Sequence, residues 1–121
     1  MADHNLLGSR GEKLAAEFLT ASGYKILETN WRCGKKEVDI VAQKETIVAF
    51  VEVKTRSTTY FGLPEEAVAT AKQKLLVEAA DEYMQLLGFD AEVRFDIISI
   101  ILSGNNYTIR HIEEAFIPLA E

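Results

Sequence analysis

A chain of 121 residues, 48% hydrophobic and 26% charged, is sized for one domain with one core, and its composition excludes a disordered polymer. Apolar runs such as 97–102 fall far short of the ~20 residues of a membrane helix, and one cysteine with two histidines excludes an internal disulfide and a structural zinc site. The net charge of −6 excludes a protein that coats nucleic acid by bulk charge. The excess is uneven, however: residues 1–64 carry 9 basic and 8 acidic side chains, and residues 65–121 carry 4 and 11. The start, Met1-Ala2-Asp3-His4-Asn5, has neither the basic flank nor the hydrophobic region of a signal peptide. With the lone Cys33 this makes the cytoplasm the expected location.

In chain order, residues 1–8 are expected to be a disordered N-terminus. Ser9 to Ser22 predicts a helix, with Leu14, Ala15, Phe18 and Leu19 on the helical period and Gly23 as the stop. Tyr24 to Trp31 predicts a strand, followed by a basic turn, Arg32-Cys33-Gly34-Lys35-Lys36. Glu37 to Gln43 and Ile47 to Lys54 predict two strands, each with ionised groups inside an apolar run. Thr55 to Leu63 reads as a polar loop ending at Pro64, and Thr70 to Leu87 as an amphipathic helix stopped by Gly88. Glu92 to Leu102 predicts a long strand, and Ser103-Gly104-Asn105-Asn106 a turn into a last strand, Tyr107 to Ile112. The order α-β-β-β-α-β-β predicts one mixed α/β domain over 1–121, a mixed central sheet flanked by helices.

The two charged strands are the most informative feature. Joined as a hairpin through Glu45-Thr46, they oppose Asp39 to Glu52 and Glu37 to Lys54. Directly opposed Cβ atoms lie ~4.5–5.5 Å apart, where like charges repel. A carboxylate pair at that spacing suits one shared cation. Alternation puts Glu52 and Lys54 on one face and Val51 and Val53 on the other. The competing reading is a plain ion pair between Lys54 and Glu37 or Glu52.

Asp39 followed by Glu52-Val53-Lys54 resembles the PD-(D/E)XK nuclease signature. Further segments carry a more specific resemblance, spanning about Gly8 to Phe116, to the YraN-type family of small bacterial predicted endonucleases. These are Gly11-Glu12 with Ala15-Ala16, Glu37 to Ala42, Phe50 to Arg56, Phe61-Gly62 before Pro64, and Arg94-Phe95-Asp96. That family is distantly similar to archaeal Holliday-junction resolvases. The resemblance implies a restriction-endonuclease-like core and a metal-dependent endonuclease acting on DNA, on branched or single-stranded forms. Asp39 and Glu52, helped by the Val53 carbonyl, would hold Mg²⁺ or Mn²⁺, and Lys54 would orient the attacking water. The loop after Lys54 departs from many such relatives, with Arg56 alone among Ser57-Thr58-Thr59.

Several residues admit two readings. Glu12 corresponds to the acid that resolvase relatives use to complete the metal site, but Ser9-Arg10-Gly11-Glu12 also reads as a capping box. Glu37 is either an acid supporting the site or the partner of Lys54. Arg32, Lys35 and Lys36 are either phosphate contacts or a solvated turn. Arg56 is the best single candidate for a backbone phosphate. Lys72 and Lys74 open a helix, where a cation sits poorly with the dipole, which favours a phosphate-facing role. Asp96 reads as an acid paired with Arg94 or Arg110. Cys33, near Lys35 and Lys36, is the one candidate for a lowered thiol pKa. Trp31 and Tyr60 are aromatic candidates for base stacking, with core packing the rival use of Trp31. The apolar stretch 115–119 would seal the core or a homodimer interface. The expected partner is DNA, with no membrane and no small-molecule cofactor. The rival function is a nuclease-fold accessory protein that binds DNA or another protein without cutting.

Overall fold

The computed structural model describes residues 2–57, 70–88 and 90–118, with side chains from residue 8 onward. Helix α1 spans Ala2–Ala21, followed by strands β1 (Lys25–Cys33), β2 (Lys36–Lys44) and β3 (Ile47–Ser57). Helix α2 (Thr70–Leu87) precedes β4 (Glu92–Ser103) and β5 (Asn106–Ile112). The predicted element order is therefore the observed one. The strands form one sheet in the order β1-β2-β3-β4-β5. Three pairs are antiparallel and β3–β4 is parallel. A parallel pair cannot be closed by a hairpin, and the connection that contains α2 supplies the crossover.

Strand alternation divides the core into two layers. Val48 and Phe50 pack with Leu76, Ala79, Ala80 and Tyr83 of α2, while Ala49 and Val51 pack with Ala15 and Leu19 of α1. The helices thus cover opposite faces, and fully buried Val, Ile and Phe side chains fill both layers. Burying each contributes roughly 1.5–3 kcal/mol.

Three boundaries differ from the sequence reading. Helix α1 begins at Ala2 and runs through Ser9, so Ser9-Arg10-Gly11-Glu12 lies inside the helix and caps nothing. β1 extends to Cys33, and Cys33 pairs with Lys36 across a two-residue turn, Gly34-Lys35, in which Gly34 has φ 62°. Arg32, Cys33 and Lys36 are consequently strand residues. β3 extends to Ser57 because Thr55, Arg56 and Ser57 pair with Ile100, Ile101 and Leu102 of β4; polar composition concealed a strand held by its neighbour. At its other end α1 closes as predicted. Tyr24 N–H donates to Leu19 O at 2.9 Å and Gly23 N–H to Thr20 O at 3.1 Å, a pattern that requires the left-handed φ of 97° at Gly23.

Candidate active site

The β2–β3 hairpin has the predicted register: Ala42 opposes Ala49, Val41 opposes Phe50 and Ile40 opposes Val51. One rung further stand Asp39 and Glu52, and there the backbone ladder gives way. Val53 N–H donates to the Asp39 carboxylate, Oδ2, at 2.8 Å.

The cause lies on the other side of β2. Thr29 opposes Ile40 and Trp31 opposes Val38, but Asn30 and Asp39 form no rung. Asn30 has φ 52°, a left-handed conformation that asparagine tolerates better than most residues. Val38 consequently packs in the α2 layer and Ile40 in the α1 layer, although simple alternation would place them together. The pleat is broken at Asp39, and its side chain turns toward the β3 backbone.

Glu52 is 8% exposed and lies 2.5 Å from the Lys72 ammonium of α2. Burial and the charge of Glu52 push the Asp39 carboxyl up to about 7, against the Val53 N–H bond. Glu12 adds to the rise and Lys72 opposes it. Burial works against the Lys72 ammonium, but its hydrogen bond to Glu52 and the charges of Glu52, Asp39 and Glu37 outweigh that and raise its pKa. Burial, before any neighbouring charge, is thus what chiefly disfavours the Asp39 carboxylate here. Half-buried Lys54 sits two residues after Glu52 on the same strand. It shares the Glu52 face, since Val51 and Val53 both belong to the α1 layer.

Glu12 reaches the site through a close approach of helix and strand. A Cβ built on Gly11 would lie 1.8 Å from Thr55 Oγ1, so only glycine lets α1 settle onto β3 here. With the capping-box reading removed, the charge of Glu12 acting on Asp39 is its described interaction. Among the described residues, no three His, Cys, Asp or Glu side chains cluster as a metal cage. Asp39 and Glu52, with the Val53 carbonyl, remain the donors available for a cation. Such a set fits Mg²⁺, which prefers one or two carboxylates and keeps several waters. Lys72 already places a positive group on the Glu52 carboxylate, where a metal ion would compete with it.

The other candidates divide. The expected Glu37–Lys54 rung lies beyond the β2–β3 ladder, and Glu37 instead pairs with Arg32 at 3.5 Å, directly opposite on β1. Lys36 turns to α2, 3.3 Å from Glu82 and 3.8 Å from Glu78, so it is no solvated turn residue, whereas Arg32 stays exposed beside Glu37. Lys35 is exposed at the turn. Arg56 Nη1 donates to Thr55 O at 2.9 Å.

Cys33 donates to Glu82 at 2.8 Å, and that bond, with burial and the charge of Glu82, raises its pKa despite Lys36. The lowered thiol pKa is thus overturned. Trp31 packs edge-on against Tyr83, ring centroids 5.2 Å apart. This is the core role, while Tyr60, Phe61 and Gly62 lie outside the described residues. Asp96 is fully buried, gripped by Arg94 Nε at 2.9 Å and Nη2 at 2.8 Å. His111 Nε2 at 2.7 Å and Glu114 N–H at 3.1 Å complete its shell. Sequence reasoning missed Lys72 as the ammonium on Glu52; its misfit with the helix dipole was the available signal.

Comparison with known proteins adds a family. The sequence model of the Uncharacterised protein family UPF0102 matches residues 11–100. A UPF0102 protein of Flavobacterium psychrophilum is 52% identical over 116 residues, covering 96% of this chain and 98% of the relative. One of Bacteroides thetaiotaomicron is 53% identical over 118 residues, covering 98% of both. One of Porphyromonas gingivalis is 44% identical over 118 residues, covering 96% of this chain and 87% of the relative. The described helices include none long and apolar enough to cross a membrane.

Proposed function

The chain belongs to the UPF0102 family, an uncharacterised family of YraN type, and we propose that it is a Mg²⁺- or Mn²⁺-dependent endonuclease hydrolysing DNA. The observation that carries the reading is the pair of half-buried Asp39 and buried Glu52 at a break in the sheet, with Asp39 pushed up to about 7 and two lysines on the Glu52 side. A sheet interior rarely keeps such charge without a use for it. The order and pairing of β2, β3 and β4 suit the restriction-endonuclease-like core proposed from the signature, and branched or single-stranded DNA is the substrate form proposed with it.

Each residue then has a task. Val53 N–H fixes the orientation of Asp39. Asp39 and Glu52 would hold the cation, which would supply easier water deprotonation and offset charge on the phosphate. Lys54 orients the attacking water beside the phosphate. Lys72 neutralises Glu52 in the metal-free protein, and a cation held there would compete with its ammonium for that carboxylate. Arg56 and Lys35 supply backbone-phosphate contacts, and Arg32 and Lys36 join them only by leaving their acidic partners.

Cleavage of structured and single-stranded DNA with Mn²⁺, together with Mn²⁺ binding by calorimetry, tests this. Asp39→Asn and Glu52→Gln are expected to lose at least about a hundredfold in cleavage and to lose Mn²⁺ binding. Lys54→Ala should lose cleavage and keep the ion. Wild-type protein that binds Mn²⁺ yet cuts none of these substrates contradicts the catalytic reading. The Lys72–Glu52 ion pair favours one rival, an accessory protein that binds DNA without cutting; it predicts a salt-sensitive gel shift in EDTA and no products after metal is added.

A further inference from the structure

The rungs that hold the site continue across the sheet in a direction the site residues do not use. Glu52 is paired with Ile97, Lys54 with Ser99 and Arg56 with Ile101. On the far side of β4, Ile97 pairs with Ile112, Ser99 with Arg110 and Ile101 with Thr108. Residues paired across a rung share a face. Lys54, Ser99 and Arg110 therefore stand in one row on the α2 side, with Arg56, Ile101 and Thr108 as the next row.

The opposite face confirms the assignment of sides. Ile98 and Ile100 pack in the α1 layer, and His111 meets the Phe18 ring of α1 edge-on at 6.1 Å. Arg110 thus points away from the Asp96 network, whose cation is Arg94. Among the described residues on the α2 side of β3, β4 and β5, the charged ones are Glu52, Lys54, Arg56 and Arg110. In a chain of net charge −6, these described strand residues number three cations to one acid. Between the two long cations stands the short, buried side chain of Ser99, and both Arg110 and Thr108 are exposed on the edge strand. Helix α2 is engaged toward the other edge, where Tyr83 meets Trp31 and Glu78 and Glu82 meet Lys36.

We propose that Arg110 binds a backbone phosphate of the substrate strand adjacent to the one at the Asp39–Glu52 site, so that the strand crosses β3, β4 and β5 in line and leaves over the β5 edge. The inference rests on the nuclease reading and adds to it a direction and an anchoring residue. Strands about 4.8 Å apart put Arg110 roughly 10 Å from Lys54 at the backbone, a span that two flexible cationic side chains adjust to successive phosphates of one strand. The guanidinium suits that role because its fork matches phosphate oxygens two at a time.

The test compares Arg110→Gln, Thr108→Glu and, on the exposed start of β1, Lys25→Gln. Each is assayed for Mn²⁺ binding, for single-stranded DNA binding against salt, and for steady-state cleavage. Arg110→Gln is expected to flatten the log–log salt dependence by about 0.7, the value of one phosphate contact on a single strand. It should also raise KM several-fold with kcat nearly unchanged and leave Mn²⁺ affinity as in wild type. Thr108→Glu should raise KM as well, and Lys25→Gln should change nothing. Wild-type cleavage with an Arg110→Gln variant indistinguishable from it in slope and KM overturns the inference alone. Wild-type protein that neither binds nor cuts DNA overturns both the inference and the nuclease reading.

Discussion

Asp39 carries the sharpest consequence at the scale of single residues. Its carboxyl titrates near 3.8 in an unfolded chain and about 7 in the folded one. Between those values the folded state keeps a proton that the unfolded state has released. Stability of the metal-free protein therefore falls as pH rises from about 4 to about 7, and levels off above that. Asp39→Asn keeps an acceptor for Val53 N–H but has no charge to bury. It is expected to be more stable than wild type at pH 8 by roughly 1–3 kcal/mol, and equal to it near pH 4. Denaturant unfolding in EDTA at both pH values checks this. Excess Mn²⁺ should stabilise wild type at pH 8 and leave Asp39→Asn unchanged. A substitution that strengthens the fold while abolishing ion binding separates a functional acid from a structural one.

Gly11 decides matters at the scale of elements. Helix α1 lies so close to β3 that a Cβ at this position would sit 1.8 Å from Thr55 Oγ1 and 2.9 Å from its Cβ. Gly11→Ala must push the helix outward, and overpacking of this kind costs about 1–3 kcal/mol. Because Glu12 rides on the same turn, the variant should also weaken its effect on Asp39 and loosen Mn²⁺ binding. Thermal melts and calorimetry measure the two effects, and loss of stability with unchanged ion binding would detach Glu12 from the site. Hairpin register was readable because Glu45-Thr46 is a two-residue link between strands whose buried residues must share faces. Glu45 accepts φ 56° to make it, a strained choice offset by the pairing on either side. The β1 and β3 ends were unreadable for the opposite reason. Arg32, Cys33, Arg56 and Ser57 carry no apolar alternation, and it is pairing with neighbouring strands that makes them part of the sheet.

Asp96 ties the whole molecule together. From a fully buried position it joins Arg94, His111 and the Glu114 N–H, and Arg94 also pairs with Glu113 at 3.5 Å. Burial would raise the Asp96 pKa, but the bonds from His111, Arg94 and Glu114 outweigh it and hold the carboxylate below its usual range. The network fastens the segment after β5, where Phe116 stacks on Phe95 with centroids 5.0 Å apart. Removing one partner from a buried pair leaves an uncompensated charge, at a cost of about 3–5 kcal/mol. Asp96→Asn should therefore lower the denaturant midpoint at every pH from 6 to 8, with or without Mn²⁺. A midpoint equal to that of wild type would mean the network contributes nothing net.

Element order, hairpin register and the sharing of a face by Glu52 and Lys54 were all set locally, by the period of apolar residues and by turn length, and so they stand in the sequence. The identity of the Glu52 partner, the pleat break opposite Asn30, the closeness of Gly11 to Thr55 and the row from Lys54 to Arg110 depend on segments distant along the chain. No local periodicity encodes which side chains those segments bring together; the packing of two helices on opposite faces of a twisted sheet does.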